Sequence, residues 1–200
     1  MMARAGKWLA MAAAFMLLVP GCEFIKQHEK ATIGVAAGAA GGAAIGGLTG
    51  GKKGAVIGGL VGALAGGAIG AYLDHKDKTA EETRQEHNYT PEQGVRIELT
   101  KVAAKPQSVA PGSEVRLKAT YAVMTPDPQQ QIVVKESRLI ALNGVSVAEA
   151  AVEVNRTSGT CTSEVPITLP ASSVTGTYEV RITVETGGQS SVLTTDFKAK

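Results

Sequence analysis

The 200-residue chain has little reactive chemistry to offer: two cysteines, three histidines, one tryptophan and seven other aromatics. His28, His75 and His87 lie in polar stretches without metal-ligand spacing, so we read them as solvated and expect no metal site and no cofactor. No nucleophile stands with a base, no carboxylates are paired for acid–base work, and the expectation is a non-enzyme with no small-molecule substrate. The only tryptophan, Trp8, lies in the N-terminal apolar run, so the rest of the chain has no indole platform for sugars. Net charge is +2, and residues 95–200 hold 11 basic and 10 acidic residues, interspersed. No basic patch with interleaved aromatics points to nucleic acid.

What is abundant is glycine, and it is badly distributed. Of 24 glycines, ten recur at every fourth position: Gly34, Gly38, Gly42, Gly46, Gly50, Gly54, Gly58, Gly62, Gly66 and Gly70. At 3.6 residues per turn this beat draws one slowly drifting stripe along a helix, and a stripe without side chains is a groove into which a second helix can press. Gly47, Gly51, Gly59 and Gly67 add a second, partial stripe. Charge is absent from Ala31 to Gly51 and again from Gly54 to Leu73, runs of 21 and 20 residues, each close to the ~20 needed to cross a bilayer. Lys52 and Lys53 between them read as a turn held in headgroups or water.

The pattern therefore predicts a helical hairpin, residues 32–73, packed on its glycine faces. In water the ten glycines would cost roughly 8–10 kcal/mol of helix preference relative to alanine. In lipid the alternative is unpaired backbone, which is worse. A flexible linker would carry serine and no strict beat. A phosphate loop would need Ser or Thr where Lys53 stands, and no strand precedes it. Cross-β stacking would favour a period of two.

The chain begins with Arg4 and Lys7, an apolar run from Trp8 to Val19, and small residues, the layout of an export signal. Val19-Pro20-Gly21-Cys22 resembles a bacterial lipobox, with valine where leucine is usual. That resemblance implies removal of residues 1–21 and acylation of Cys22, with residues 22–31 as a tether. Cys161 then has no partner, and we read it as buried.

The repeated GxxxG pairs, the lysine-containing middle and the exit GAIGAYLDHKDK resemble the glycine-zipper two-transmembrane domain of bacterial outer-membrane lipoproteins, a group that includes rickettsial surface antigens. The resemblance implies an envelope lipoprotein, usually of the outer membrane, without enzymatic activity. Many members of that group continue into a peptidoglycan-binding domain, which this chain does not visibly carry.

Residues 74–94, with six acids and three bases, read as a polar linker ended by Pro91 and Gly94. From Val95 the period changes to two. Val95, Ile97 and Leu99 alternate with polar residues, as do Val115, Leu117, Ala119 and Tyr121, and Tyr178, Val180, Ile182 and Val184. Further strands are expected near 131–142, 150–156, 163–169 and 190–198, with turns at LNG, TSG and TGG. SVAPGSEVRLKATY and GTYEVRITVE resemble strands of bacterial Ig-like domains, so residues 95–200 are expected to form an Ig-like antiparallel sandwich. Tyr121, Tyr178 and Phe197 should face inward, and Met124–Gln131 is a candidate contact loop.

The resulting expectation is an α+β protein: a glycine-zipper membrane hairpin followed by an Ig-like β-sandwich. Its partners would be membrane lipid and, through the glycine faces, a second copy. The soluble domain would stand in the periplasm beneath the outer membrane. Two other readings stay open: the sandwich as an adaptor for another envelope protein, with the hairpin only as anchor, and the hairpins as a pore.

Overall fold

The computed structural model describes residues 58–62, 64 and 72–200. Nine strands account for most of it: β1 (Leu73–Lys78), β2 (Arg96–Lys105), β3 (Ser108–Val109), β4 (Glu114–Met124), β5 (Ile132–Leu142), β6 (Val145–Arg156), β7 (Gly159–Thr168), β8 (Gly176–Thr186) and β9 (Gln189–Ala199). Between β1 and β2 lie one α-helix, α1 (Ala80–Glu86), and a 3-10 turn at Pro91–Gln93. One sheet has the order β1-β7-β4-β2, the other β3-β9-β8-β5-β6. All pairings are antiparallel except the short parallel β3–β9 contact.

Alternation produces these strands. On β8, Tyr178, Val180, Ile182 and Val184 are fully buried while the residues between them are not. On β4, Val115, Leu117, Ala119 and Tyr121 do the same from the other sheet. Tyr178 stacks on Phe197, its cross-strand partner, at 5.2 Å between ring centroids. Asn143 and Gly144 close the β5–β6 hairpin with φ of 52° and 77°, the left-handed pair that a two-residue turn of the strand's own twist requires. Cys161 is a free, buried thiol whose pKa is pushed up by burial.

The expected α+β class is overturned: the described chain is β-rich, in two sheets, with only short helices. Among the described residues no helix is long and apolar enough to cross a membrane. Most of the expected hairpin lies outside the described residues. Of its second half, residues 58–62 and 64 are helical, but Leu60 and Leu64 are fully buried and belong to the same apolar cluster as the sandwich core. Leu73, expected to end the second helix, instead opens β1. The glycine beat stops at Gly70, and beyond it the polar strand β1 pairs its backbone with the edge of β7.

The expected polar linker is likewise folded onto the sandwich. Thr79 caps α1 in a reciprocal capping box with Glu82. Ala80 and Thr83 face inward, and Thr83 Oγ1 meets Thr160 Oγ1 of β7 at 2.9 Å. Arg84 Nη2 donates to the carbonyls of Thr125 and Pro126, and Tyr89 packs with Ala122 and Met124. The sequence hid this because one turn of buried face, Ala80 and Thr83, leaves no apolar stripe to read.

Candidate functional site

Charge is buried where the two sheets meet β1. On β5 the residues Val134, Glu136, Arg138 and Ile140 share the inward face, so alternation carries two opposite charges into the core. Glu136 is 0% exposed and Arg138 is 1% exposed. Arg156, the last residue of β6, is also buried, and Tyr121 of β4 and Ser163 of β7 complete the lining. Tyr72 and Asp74 enter this cluster from β1 and the residue before it.

Glu136 is the hub. Its Oε1 accepts from Tyr72 Oη at 2.5 Å, Tyr121 Oη at 2.6 Å and Arg156 Nη2 at 3.3 Å. Its Oε2 accepts from Ser163 Oγ at 2.7 Å and Arg138 Nη2 at 3.1 Å. Arg138 Nη2 also donates to Ser163 Oγ at 2.8 Å. Arg156 spreads over three elements: Nε to Tyr121 Oη at 2.6 Å, Nη1 to Asp74 Oδ2 at 2.6 Å, and Nη2 to Tyr72 Oη at 2.5 Å. Two carboxylates against two guanidiniums leave the cluster neutral. Only Arg138 Nε is buried without a hydrogen-bond partner in it.

The electrostatics follow from this geometry. Burial pushes the Glu136 carboxyl up, but the Arg138 charge and the hydroxyls of Tyr121, Tyr72 and Ser163 outweigh it and hold its pKa below the ordinary value. The phenols of Tyr72 and Tyr121 are raised well above theirs, first by burial and then by the neighbouring carboxylate. Burial works against the Arg156 charge, yet Tyr121, Tyr72 and Asp74 more than offset it. Glu136, Tyr72, Tyr121 and Arg156 are thus each held toward the protonation state that bonds their neighbours. Such a cluster grips, because each buried charge is held by partners from several elements.

What it grips is the segment that leaves the glycine-rich region. Tyr72 and Asp74 stand two and four residues beyond Gly70. β1 pairs with β7 from Leu73↔Glu164 to Lys78↔Thr160, with an irregularity between Lys76 and Lys78. Asp77 Oδ2 accepts from Thr162 Oγ1 at 2.6 Å on the other face. Gly159 makes the close approach feasible: with φ of +143°, a Cβ there would lie 2.2 Å from Lys76 Cε and 2.7 Å from the Lys78 carbonyl oxygen.

Residues 1–74 match the YMGG-like Gly-zipper family. The match covers the whole glycine stripe and stops at Asp74, inside the clamp. No curated protein matches the sequence. Solved structures show loose likenesses over about half of the chain. The alkylpurine DNA glycosylase AlkC of Pseudomonas fluorescens is 12% identical, with 54% of this chain and 31% of that chain covered and a TM-score of 0.40. A family 123 glycoside hydrolase of Clostridium perfringens is 10% identical over 53% of this chain and 27% of its own, with a TM-score of 0.38. A chain of the aggregative adherence fimbriae of enteroaggregative Escherichia coli is 13% identical over 53% and 99%, with a TM-score of 0.37. This chain thus spans under a third of the length of the first two. At such scores the likenesses carry no functional argument.

Among the site residues expected from sequence, Gly58 and Gly62 fall in the described helical stretch. Cys22, Lys52, Lys53, Gly34, Gly38, Gly42, Gly46, Gly50, Gly54, Gly66 and Gly70 lie outside the described residues. The clamp itself was missed. Its signal was in the string VVKESRLIAL: reading every second residue from Val134 puts Glu136 and Arg138 between Val134 and Ile140. The candidate contact loop is tied down, with Thr125 N donating to Ser158 Oγ and Gln129 N to Asp127 Oδ1.

Proposed function

We propose that the chain is a non-enzymatic protein of the bacterial envelope, acylated at Cys22, whose glycine stripe packs against small-residue surfaces in lipid. The sandwich, which we read as Ig-like, would stand in the periplasm beneath the outer membrane. The observation that carries this is the Gly-zipper match over residues 1–74, coincident with ten glycines in unbroken register. The clamp supports a structural role: it fixes Tyr72 and Asp74, at the end of the matched Gly-zipper region, to the sandwich.

Membrane fractionation with mass spectrometry of the mature N-terminus tests the reading. The expected result is a membrane-bound chain beginning at diacylated Cys22. A soluble chain with an unmodified Cys22 overturns it. Leucine at Gly42 and Gly62 should also reduce chemical cross-linking between copies, since side chains on the stripe keep backbones apart.

A second reading, in which the sandwich binds another envelope protein, is favoured by β6. This 12-residue strand ends its sheet, and its outer edge has no partner among the described residues. Deleting residues 32–57 while keeping Cys22, Leu60 and Leu64 separates the two. Retained activity favours the adaptor; lost activity favours the zipper.

A further inference from the structure

Both sheets bring strand ends to one pole of the sandwich. In one sheet Lys105↔Arg116 and Glu114↔Thr168 are the outermost pairs there, and in the other Leu142↔Val145, Leu142↔Tyr178 and Gly176↔Ala199. Lys198 N donates to the Gln107 carbonyl at 2.8 Å, joining β9 to the connection between β2 and β3 and so one set to the other. The connections at this pole, residues 106–107, 110–113, 143–144 and 169–175, contain no charged residue. Val145, at the hairpin tip, is 65% exposed, and Val174 is 51% exposed.

Cations ring these uncharged tips. Within the last three residues of each strand at this pole, the charged side chains are Lys105, Arg116, Lys198 and a single carboxylate, Glu114. All three cations are exposed, and Glu114 is taken up by Arg116, whose Nε donates to its Oε1 at 2.8 Å. The opposite pole has the other sign. Residues 80–94 and 125–131 carry Glu81, Glu82, Glu86, Glu92 and Asp127 against Arg84, and α1 is fixed there through Thr83 to Thr160 and Arg84 to the Thr125 carbonyl. β1 runs from Leu73, beside Glu164, to Lys78, beside Thr160, so the residues at the end of the Gly-zipper match enter the sandwich from the side of the basic pole.

We propose that the basic pole is the face the sandwich lays on an anionic lipid surface: Val145 and Val174 enter the boundary between headgroups and acyl chains, while Lys105, Arg116 and Lys198 pair with lipid phosphates. The proposal rests on the lipid-engaging function above and adds to it a contact made by the sandwich itself. Charge decides the occupant, because an anionic surface attracts this pole and repels the opposite one. The apolar pattern agrees with it. Valines on two separate uncharged turns suit a soft boundary that closes around each tip, whereas a protein partner is marked by one contiguous apolar patch. Docked this way, the sandwich turns α1 and residues 125–131 away from lipid.

Trp8 is the chain's only tryptophan and lies in the segment read as an export signal, so one tryptophan placed in the mature chain reports alone. Val145→Trp and Val174→Trp put it at the basic pole, and Gln189→Trp puts it at the β8–β9 turn of the opposite pole, all at exposed positions. The full mature protein is bound to vesicles of phosphatidylethanolamine and phosphatidylglycerol that contain doxyl-labelled lipid. Fluorescence should be quenched at 145 and 174 and spared at 189. Lys105→Gln with Lys198→Gln should lower the ratio of docked to undocked sandwich roughly tenfold or more, from about 1 kcal/mol per cation at an anionic surface. Vesicle-bound protein in which the three positions are quenched alike, or not at all, overturns the contact face while the envelope role stands. So does quenching unchanged in the double variant, or tryptophan at 145 and 174 already shielded from iodide without vesicles, which would mean that protein, such as a second copy, covers this pole. A chain that never binds these vesicles overturns the lipid-engaging function as well.

Discussion

Asp74 Oδ2 accepts a hydrogen bond from Arg156 Nη1 at 2.6 Å, joining residues 82 positions apart in the chain. Arg156 is 7% exposed, so its charge depends on partners, and Asp74 is the only one of them on β1. Asp74→Asn keeps the shape and removes the charge. The half-screened position limits the effect to about 1 kcal/mol of global stability in urea. The local effect should be larger: amides of Leu73–Lys78 should lose hydrogen-exchange protection while β8 keeps it.

Glu136 is a different case, since it is fully buried. Glu136→Ala leaves Arg138 buried beside an empty space and should cost about 3–5 kcal/mol, read from chemical denaturation. Replacing Glu136 and Arg138 together by leucine and methionine should cost much less than the sum of the single changes. If the two singles simply add, the pair is not the coupled unit the geometry shows.

These residues also mark how far sequence carried the argument. Strands β2, β4 and β8 were readable because each alternates, and alternation is a local property of consecutive side chains; β7 is buried on both faces and showed only as an apolar run between turns. β1 was not, because Leu73–Lys78 is polar on both faces and takes its strand form from the free edge of β7. The clamp was unreadable for a related reason. Glu136 and Arg138 announce a buried ion pair only once β5 is known to be buried on that face, and Tyr72 reaches them across 64 positions. The glycine beat was read as membrane helix along its whole length. Nothing in residues 58–64 foretold that Leu60 and Leu64 would find the sandwich core.

Gly159 offers a test of β1 docking that leaves the charges alone. Alanine there adds one methyl group, at a φ of +143° and 2.7 Å from the Lys78 carbonyl oxygen. Lys76 can swing aside, but the backbone of β1 cannot without giving up its pairing. Gly159→Ala should cost about 1–3 kcal/mol and detach β1. Proteolysis after Lys76 or Lys78 should become fast in the variant while the β2–β9 core stays resistant. A variant as resistant as the wild type would mean that β1 shifts without leaving.

The tyrosines set the alkaline limit. Tyr72 and Tyr121 have pKa values raised in the folded chain, and an unfolded tyrosine titrates near 10. Above pH 10 the unfolded chain releases protons that the folded chain keeps, so stability present below that pH is lost as pH rises. The acid limb has the opposite sign: Glu136 is held below its ordinary value of 4.5, so its contribution is full above that pH and falls as acid protonates it. Thermal melting between pH 9 and 12 should therefore show a decline that Tyr72→Phe makes shallower. The same variant should melt lower than wild type at pH 7, having lost the bonds to Glu136 and Arg156. A wild-type decline matched in slope by Tyr72→Phe would show that the phenol at 72 is not gripped as the geometry requires.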